Sequence, residues 1–321
     1  MTLQVSIQAP AKLNLGLEVV GRRTDGFHDI VTIFQAISLC DDLALTPYPS
    51  NRGRGEPVSM SNHALEGGIS LTSSDPTLDR ERNLVVLALN RLRQAMNATL
   101  GAHATLTKRI PIAAGLGGAS TDAAAALVAG RDLWQAAISD QEIHEISRDL
   151  GSDVPFFLTA GTALGTGRGD QLTRLAPLTD IWFVVVTPAI VIPRKTPTLY
   201  GLLRPGDFST GEAVRRWAGM LPAASGANPI PLPPNAFSRP LYALRPELAA
   251  LPGRMAAAGA ATIGLSGAGP SHFALFSDPE QAERVASRLR TDLGTAAAVA
   301  VVVATPVVKP PPPVSTYLGQ G

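Results

Sequence analysis

The sequence predicts a chain of mixed strands and helices in about two domains, and three observations carry this. The chain has 321 residues, and domains usually run to roughly 100–200. Strand-like and helix-like periods alternate along its length, and past Pro188 the composition shifts to proline- and glycine-rich sequence. Hydrophobic residues make up 45% and charged residues 17%, which is ample apolar material for a core.

Taken in order, residues 3–7 and 13–19 carry apolar residues at short period and read as strands. Residues 21–26 form a charged turn, after which 30–39 and 42–45 resume the strand pattern. Residues 47–82 are polar and rich in Gly, Ser and Pro, and read as a long surface excursion. From Asn83 to Asn97, Leu84, Leu87, Ala88, Arg91, Leu92 and Ala95 fall at helical spacing. A short strand at 104–108 leads into a glycine-rich loop, Pro111 to Gly118, with a strong helix former from Asp122 onward. Gln141 to Leu150 is an amphipathic helix stopped by Gly151, and 161–166 and 181–187 are strand-like. Beyond Pro188 come a helical piece at 211–220 and another at 241–258, broken at Pro252-Gly253. Strands at 261–265 and 272–276 flank a glycine turn, followed by a helix at 279–293 and a buried strand at 296–304. The tail from Pro306, with its run Pro310 to Pro313, is expected to be extended or mobile. The expected divisions are 1–170, 171–305 and the tail 306–321.

Lysine plus arginine is 27 against 26 for aspartate plus glutamate, so no broad nucleic-acid-binding face is expected, although a local cationic pocket is allowed. Cys40 is the single cysteine, so no disulfide can form within the chain and a reducing cytoplasm is the expected setting. The N-terminus lacks the pattern of a signal peptide, and the longest apolar run has nine residues against the roughly 20 of a membrane helix. No membrane partner is expected.

Five stretches could carry chemistry. In Pro111-Ile-Ala113-Ala114-Gly115-Leu116-Gly117-Gly118-Ala119-Ser120-Thr121-Asp122, three glycines allow close backbone approach, and the helix behind them offers unpaired N–H groups and its positive dipole end. That suits a di- or triphosphate, to which Ser120 and Thr121 can add hydroxyls and Asp122 a metal-coordinating carboxylate. A loop whose serine or threonine merely caps the helix fits the pattern equally well. The chain has no Gly-Lys pair, which excludes a Walker loop, and Ser120 stands where a dinucleotide fingerprint needs its third glycine. In Pro10-Ala-Lys12-Leu-Asn14-Leu-Gly16, period two puts Lys12, Asn14 and Gly16 on one face, toward either a cleft or solvent. Asp153, in Gly151-Ser-Asp-Val-Pro-Phe-Phe, reads most simply as a helix cap. The Gly267 turn, Gly264 to Ser271, can form an N–H nest for anions or serve as a tight connection. Asp25-Gly-Phe27-His28 sets an aromatic beside an imidazole, suited to stacking on a base and bonding its edge. None of the five histidines has metal-ligand spacing.

Taken jointly and in this order, the motifs resemble the galactokinase, homoserine kinase, mevalonate kinase and phosphomevalonate kinase (GHMP) superfamily, from about residue 9 to 276. The stretches around Lys12, Phe27 and Asp153 are most similar to its branch acting on a cytidine-diphosphate-linked methylerythritol. The resemblance implies a two-domain α+β fold with the active site in the interdomain cleft. It implies ATP held mainly by the N-terminal domain, substrate by the C-terminal one, and Mg²⁺ carried by the ATP with Ser120 as a candidate ligand. The implied reaction moves the γ-phosphoryl of ATP to the 2-hydroxyl of the methylerythritol unit, a step of the non-mevalonate isoprenoid pathway. Lys12 and Asp153 are the implied catalytic pair. Asn14, Phe27, His28, Thr196, Tyr200 and Gly267 are the implied substrate contacts, Phe27 standing where a tyrosine is usual. A monomer or weak homodimer is expected. Other kinases of the superfamily, such as homoserine kinase, and a nucleotide-binding regulator without turnover are the competing readings.

Overall fold

The computed structural model describes residues 2–48, 68–78, 82–135, 137–221, 231–294 and 299–318. The N-terminal strand patterns fold as two 21-residue strands, β1 (Thr2–Arg22) and β2 (His28–Tyr48), antiparallel across the turn at 23–27. The sequence splits each in two because Pro10 and the polar residues interrupt the period. The structure absorbs them instead with register shifts at Pro10/Ala11, Asn14/Gly16 and Val19/Gly21.

One half of β2 pairs with β4 (Gly101–Thr107), and β4 pairs in parallel with β3 (Ile69–Ser73). The other half pairs with β5 (Thr162–Thr166), which carries β6 (Gln171–Arg174). β3 corrects part of the excursion expected over 47–82, of which 49–67 and 79–81 lie outside the described residues. Against this sheet pack α1 (Leu84–Ala95), α2 (Gly118–Trp134), α3 (Asp140–Leu150) and α4 (Val154–Thr159). Asn83 caps α1 and Ser139 forms a capping box with Glu142 on α3. The small side chains of Ala123 to Ala126 are buried and bring α2 close onto β1.

The second sheet is antiparallel, in the order β10 (Ala300–Ala304), β7 (Trp182–Thr187), β9 (His272–Phe276), β8 (Thr262–Leu265). Between β7 and β8 the chain forms α5 (Lys195–Gly201), α6 (Glu212–Met220) and α7 (Ser238–Leu244). α8 (Leu251–Ala257) and α9 (Pro279–Leu293) bury Met255, Val285 and Leu289 against Val184 and Val186. The helix break falls at Arg245 and not at Pro252-Gly253, because Pro252 sits in the first turn of α8, where its missing N–H removes no helical bond. Of the strand expected at 296–304, residues 296–298 lie outside the described residues.

Of the tail expected to be extended or mobile, Val314–Leu318 are extended as β11, which pairs with Thr2–Ser6 and completes the edge of the first sheet. Past its reach the edge of β1 is taken by the second half of the chain. Leu17 N–H donates to Pro234 O at 3.0 Å, Ala236 N–H to Leu17 O at 2.8 Å, and Ser209 N–H to Val19 O at 3.0 Å.

The end of β4 is fixed by a buried charge cluster. Lys108 donates to Asp41 and, at 2.6 Å, to Asp122, while Asp41 also accepts from the Arg109 and Ile110 backbone N–H groups. Asp122, read from the sequence as a metal-coordinating carboxylate, is buried here and paired with Lys108. Burial, opposed by Lys108 and reinforced by Asp41, pushes its carboxyl up to about 7. Breaking such a buried pair costs about 3–5 kcal/mol. Lys108→Met is expected to lose that much in urea unfolding at pH 8. A carboxyl raised in the folded state binds more protons there than in the unfolded chain, so stability falls as pH rises from about 4 through the folded value. The loss in the variant is accordingly smaller at pH 5; an equal loss at both pH values contradicts the assignment.

Candidate active site

A cleft of about 800 Å³ opens between the two halves of the chain, lined by Lys12, Asn14, Gly115, Gly117, Asp153 and Gly267 on one side and by Phe27, His28, Thr196 and Tyr200 on the other. Its floor is the loop entering α2. Gly115 lies at φ +84, and a Cβ there would sit 2.4 Å from Ser266 O; Gly117 lies at φ +76, and a Cβ there would meet Phe157 at 2.6 Å. Both positions demand glycine. Gly117 is thus required by its own packing as well as by any ligand.

Four successive carbonyls of this loop are held from outside it. Ala113 O accepts from Lys195 Nζ at 2.6 Å, Ala114 O from Ser271 N–H at 3.1 Å, Gly115 O from Ser266 Oγ at 2.9 Å, and Leu116 O from Lys12 N–H at 2.9 Å. In a trans peptide the N–H lies opposite the C=O, so the N–H groups of Gly115, Leu116 and Gly117 are turned away from these donors. Together with the first turn of α2 they form a cradle of N–H groups suited to an anion. The helix carries no side-chain cap, which removes the simple capping role for Ser120 and Thr121. Ala119 is exposed, Ser120 half-buried, and Thr121 Oγ1 is buried without a partner. Pro111 opens the loop and is half-buried; Gly118 begins the helix.

Lys12 is 4% exposed and Asn14 2%, so the pair faces the protein interior and not solvent. Lys12 Nζ donates to Asn14 Oδ1, stands 3.5 Å from Asp153 Oδ2 and lies 5.5 Å over the Phe34 ring. The Asn14 amide is oriented by its other end. Thr32 gives its proton to Gly16 O and so accepts from Asn14 Nδ2 at 2.8 Å, leaving Oδ1 for Lys12. Asp153 precedes α4 but makes no cap bond, so its carboxylate is free to serve Lys12. Gly267 closes the same corner: a Cβ there would lie 3.2 Å from Asn14 Oδ1 and 3.4 Å from Lys12 Nζ. Gly16 departs from the period-two expectation. The bulge at Leu15 turns it toward Pro233 and puts Leu17 into the cleft instead.

At the other end Phe27 is 53% exposed, with the Arg168 guanidinium 5.0 Å over its ring. His28 stacks on Tyr200 at 4.5 Å between centroids and 23° between planes. Burial, then Arg22, lowers the His28 imidazole from its ordinary value, which favours the neutral ring. Burial, then Asp153, pushes Tyr200 up to about 12. Thr196 stands exposed in the first turn of α5. Sequence reasoning missed Thr32, Ser266, Arg168 and Lys195. Ser266 lay inside a quoted motif; the others carry no local signal. Among the described residues no three His, Cys, Asp or Glu cluster to hold a metal, and no helix is long and apolar enough to cross a membrane.

The N-terminal domain of the GHMP kinases matches residues 83–161 and their C-terminal domain residues 230–294. A 4-diphosphocytidyl-2-C-methyl-D-erythritol kinase of Dehalococcoides mccartyi is 36% identical over 88% of this chain and 92% of its own. That of Pelotomaculum thermopropionicum is 36% identical over 89% and 94%. A crystal structure of 4-(cytidine 5'-diphospho)-2C-methyl-D-erythritol kinase superposes with a TM-score of 0.72 at 32% identity, covering 94% of this chain and 99% of that one. A homoserine kinase from Cytophaga hutchinsonii, at 18% identity and a TM-score of 0.69, shares the fold.

Ser266 is the most direct test of the cradle, since its hydroxyl accepts from Asn14 N–H at 3.2 Å while donating to Gly115 O. Ser266→Ala is expected to weaken ATP binding about 3- to 10-fold by calorimetry, the worth of one such hydrogen bond. Unchanged affinity would place the nucleotide elsewhere.

Proposed function

The chain belongs to the 4-diphosphocytidyl-2-C-methyl-D-erythritol kinases, a branch of the GHMP kinases, and on that premise we propose that it transfers the γ-phosphoryl of ATP to the 2-hydroxyl of this cytidine-diphosphate-linked sugar alcohol. The observation that carries the reading is the buried Lys12 ammonium 3.5 Å from the Asp153 carboxylate, at the corner where the glycine loop meets the Gly267 turn. The reaction is an isoprenoid-precursor step, and we assign the enzyme to the cytoplasm, the reducing setting that a chain with one cysteine suits.

The substrate hydroxyl is placed beside Asp153, which accepts its proton as the oxygen bonds to the γ-phosphorus. The bond from that phosphorus to the β–γ bridging oxygen breaks, and ADP leaves with the electron pair. Lys12 keeps one side of Asp153 paired and neutralises charge on the transferring group. Positioning and charge stabilisation supply most of the barrier reduction in such transfers. Asn14, its amide fixed by Thr32, holds the Lys12 ammonium in place. ATP lies on the cradle from Pro111 to Thr121, its phosphates on the N–H groups of Gly115, Leu116 and Gly117. Magnesium arrives with the ATP as part of that substrate, and Ser120 is the hydroxyl we assign to it.

Phe27 and Tyr200 supply faces for the cytosine, with Thr196 at the rim, and His28 reads its edge. A neutral imidazole offers one donor and one acceptor, which matches a base edge carrying both. Because the His28 ring covers Tyr200 in this structure, the base takes the place of one ring as it enters.

ADP release with the cytidine-linked substrate, homoserine and mevalonate tests the proposal. Turnover is expected with the first alone. Asp153→Asn and Lys12→Met should each lower kcat at least about 10²-fold, and the double variant should be little worse than the poorer single one. Near wild-type turnover in folded Asp153→Asn would remove the proton acceptor from the scheme.

A further inference from the structure

Lys195 belongs to neither the catalytic pair nor the base pocket, and its surroundings are unusual for a lysine. It opens α5, directly after Arg194 in the left-handed region at φ 47. Its ammonium donates to Ala113 O at 2.6 Å and to Gly269 O. One carbonyl belongs to the loop before α2 and the other to the β8–β9 turn, so a single side chain bridges the two halves of the chain.

The electrostatics of this bridge are incomplete. Both partners are neutral carbonyls, and among the described residues the ammonium forms no ion pair. Burial, and then repulsion from Lys12, bring Lys195 down to about 8. A half-buried cation beside a second cation, held only by dipoles, is costly unless an anion joins it. Lys195 lines the same cleft as Lys12, Gly115, Gly117 and Gly267, so the cradle's anion is within its surroundings.

We propose that Lys195 is a nucleotide-positioning residue whose ammonium ties the phosphate loop to the β8–β9 turn and shares its charge with the triphosphate of bound ATP. It sets nucleotide affinity and takes no part in proton transfer. The inference rests on the kinase reading above. A tether with a purely structural role would instead alter stability and the binding of both substrates.

The test is calorimetric titration of a non-hydrolysable MgATP analogue into the full chain carrying Lys195→Met or Lys195→Arg, with steady-state kinetics beside it. Hydrogen bonds to a charged group are worth enough that Lys195→Met should bind nucleotide roughly 10- to 100-fold more weakly. Lys195→Arg, which keeps charge and donors, should recover most of the loss. KM for ATP should rise while KM for the second substrate and the melting temperature stay at wild-type values. Wild-type nucleotide affinity in Lys195→Met, or equal losses for both substrates with a lowered melting temperature, overturns the proposal. Because the titration involves no acceptor, a wild-type chain that binds MgATP without turning over the cytidine substrate refutes the substrate reading alone.

Discussion

The site depends on one constraint: the loop before α2 does not hold its own carbonyls. Lys12 N–H, Ser266 Oγ, Ser271 N–H and Lys195 Nζ each take one of four in succession. The donors come from β1, from the β8–β9 turn and from α5, so the loop takes its shape only when both halves of the chain are in place. The reward is directional. With the carbonyls occupied, the N–H groups of the same peptides are left for a ligand, in the way that oriented amides bind phosphate elsewhere.

The same tie fixes the catalytic corner. The residue whose backbone N–H holds Leu116 O is Lys12, so the distance from phosphate loop to ammonium is set by one peptide of a strand. The bulge at Leu15 then matters, because it lets Lys12 and Asn14 face the cleft while the chain beyond packs against Pro233. Burying an ammonium and an amide is expensive unless each is satisfied. Here Thr32, Asn14 and Asp153 do so in a chain, and Phe34 adds its ring face.

Much of this was legible in the sequence. Helices with strong caps or alanine runs, such as α2 and α9, lie close to where their periodicity places them. The site motifs were visible because glycine clusters and polar residues between leucines conflict with an ordinary core pattern. What escaped were features set by tertiary partners. β3 and β11 are edge strands of only five residues each, set in polar or proline-rich sequence, and each exists because a neighbouring strand offers a free edge. Gly16 and Leu17 exchanged faces through a bulge that period-two counting cannot see. Asp122 reads as a metal ligand until Lys108, 14 residues earlier in the chain, is found against it. Lys195 is meaningless in isolation, since its role depends on where two distant carbonyls point.

The central claim, that the amides of Gly115, Leu116 and Gly117 are the free donors of a pre-shaped cradle, is open to direct measurement by residue-resolved amide hydrogen exchange. The account predicts that these three exchange readily in the free protein and become strongly protected on addition of a non-hydrolysable MgATP analogue. Protection confined to other segments, with these three amides unaffected at saturating nucleotide, would contradict it.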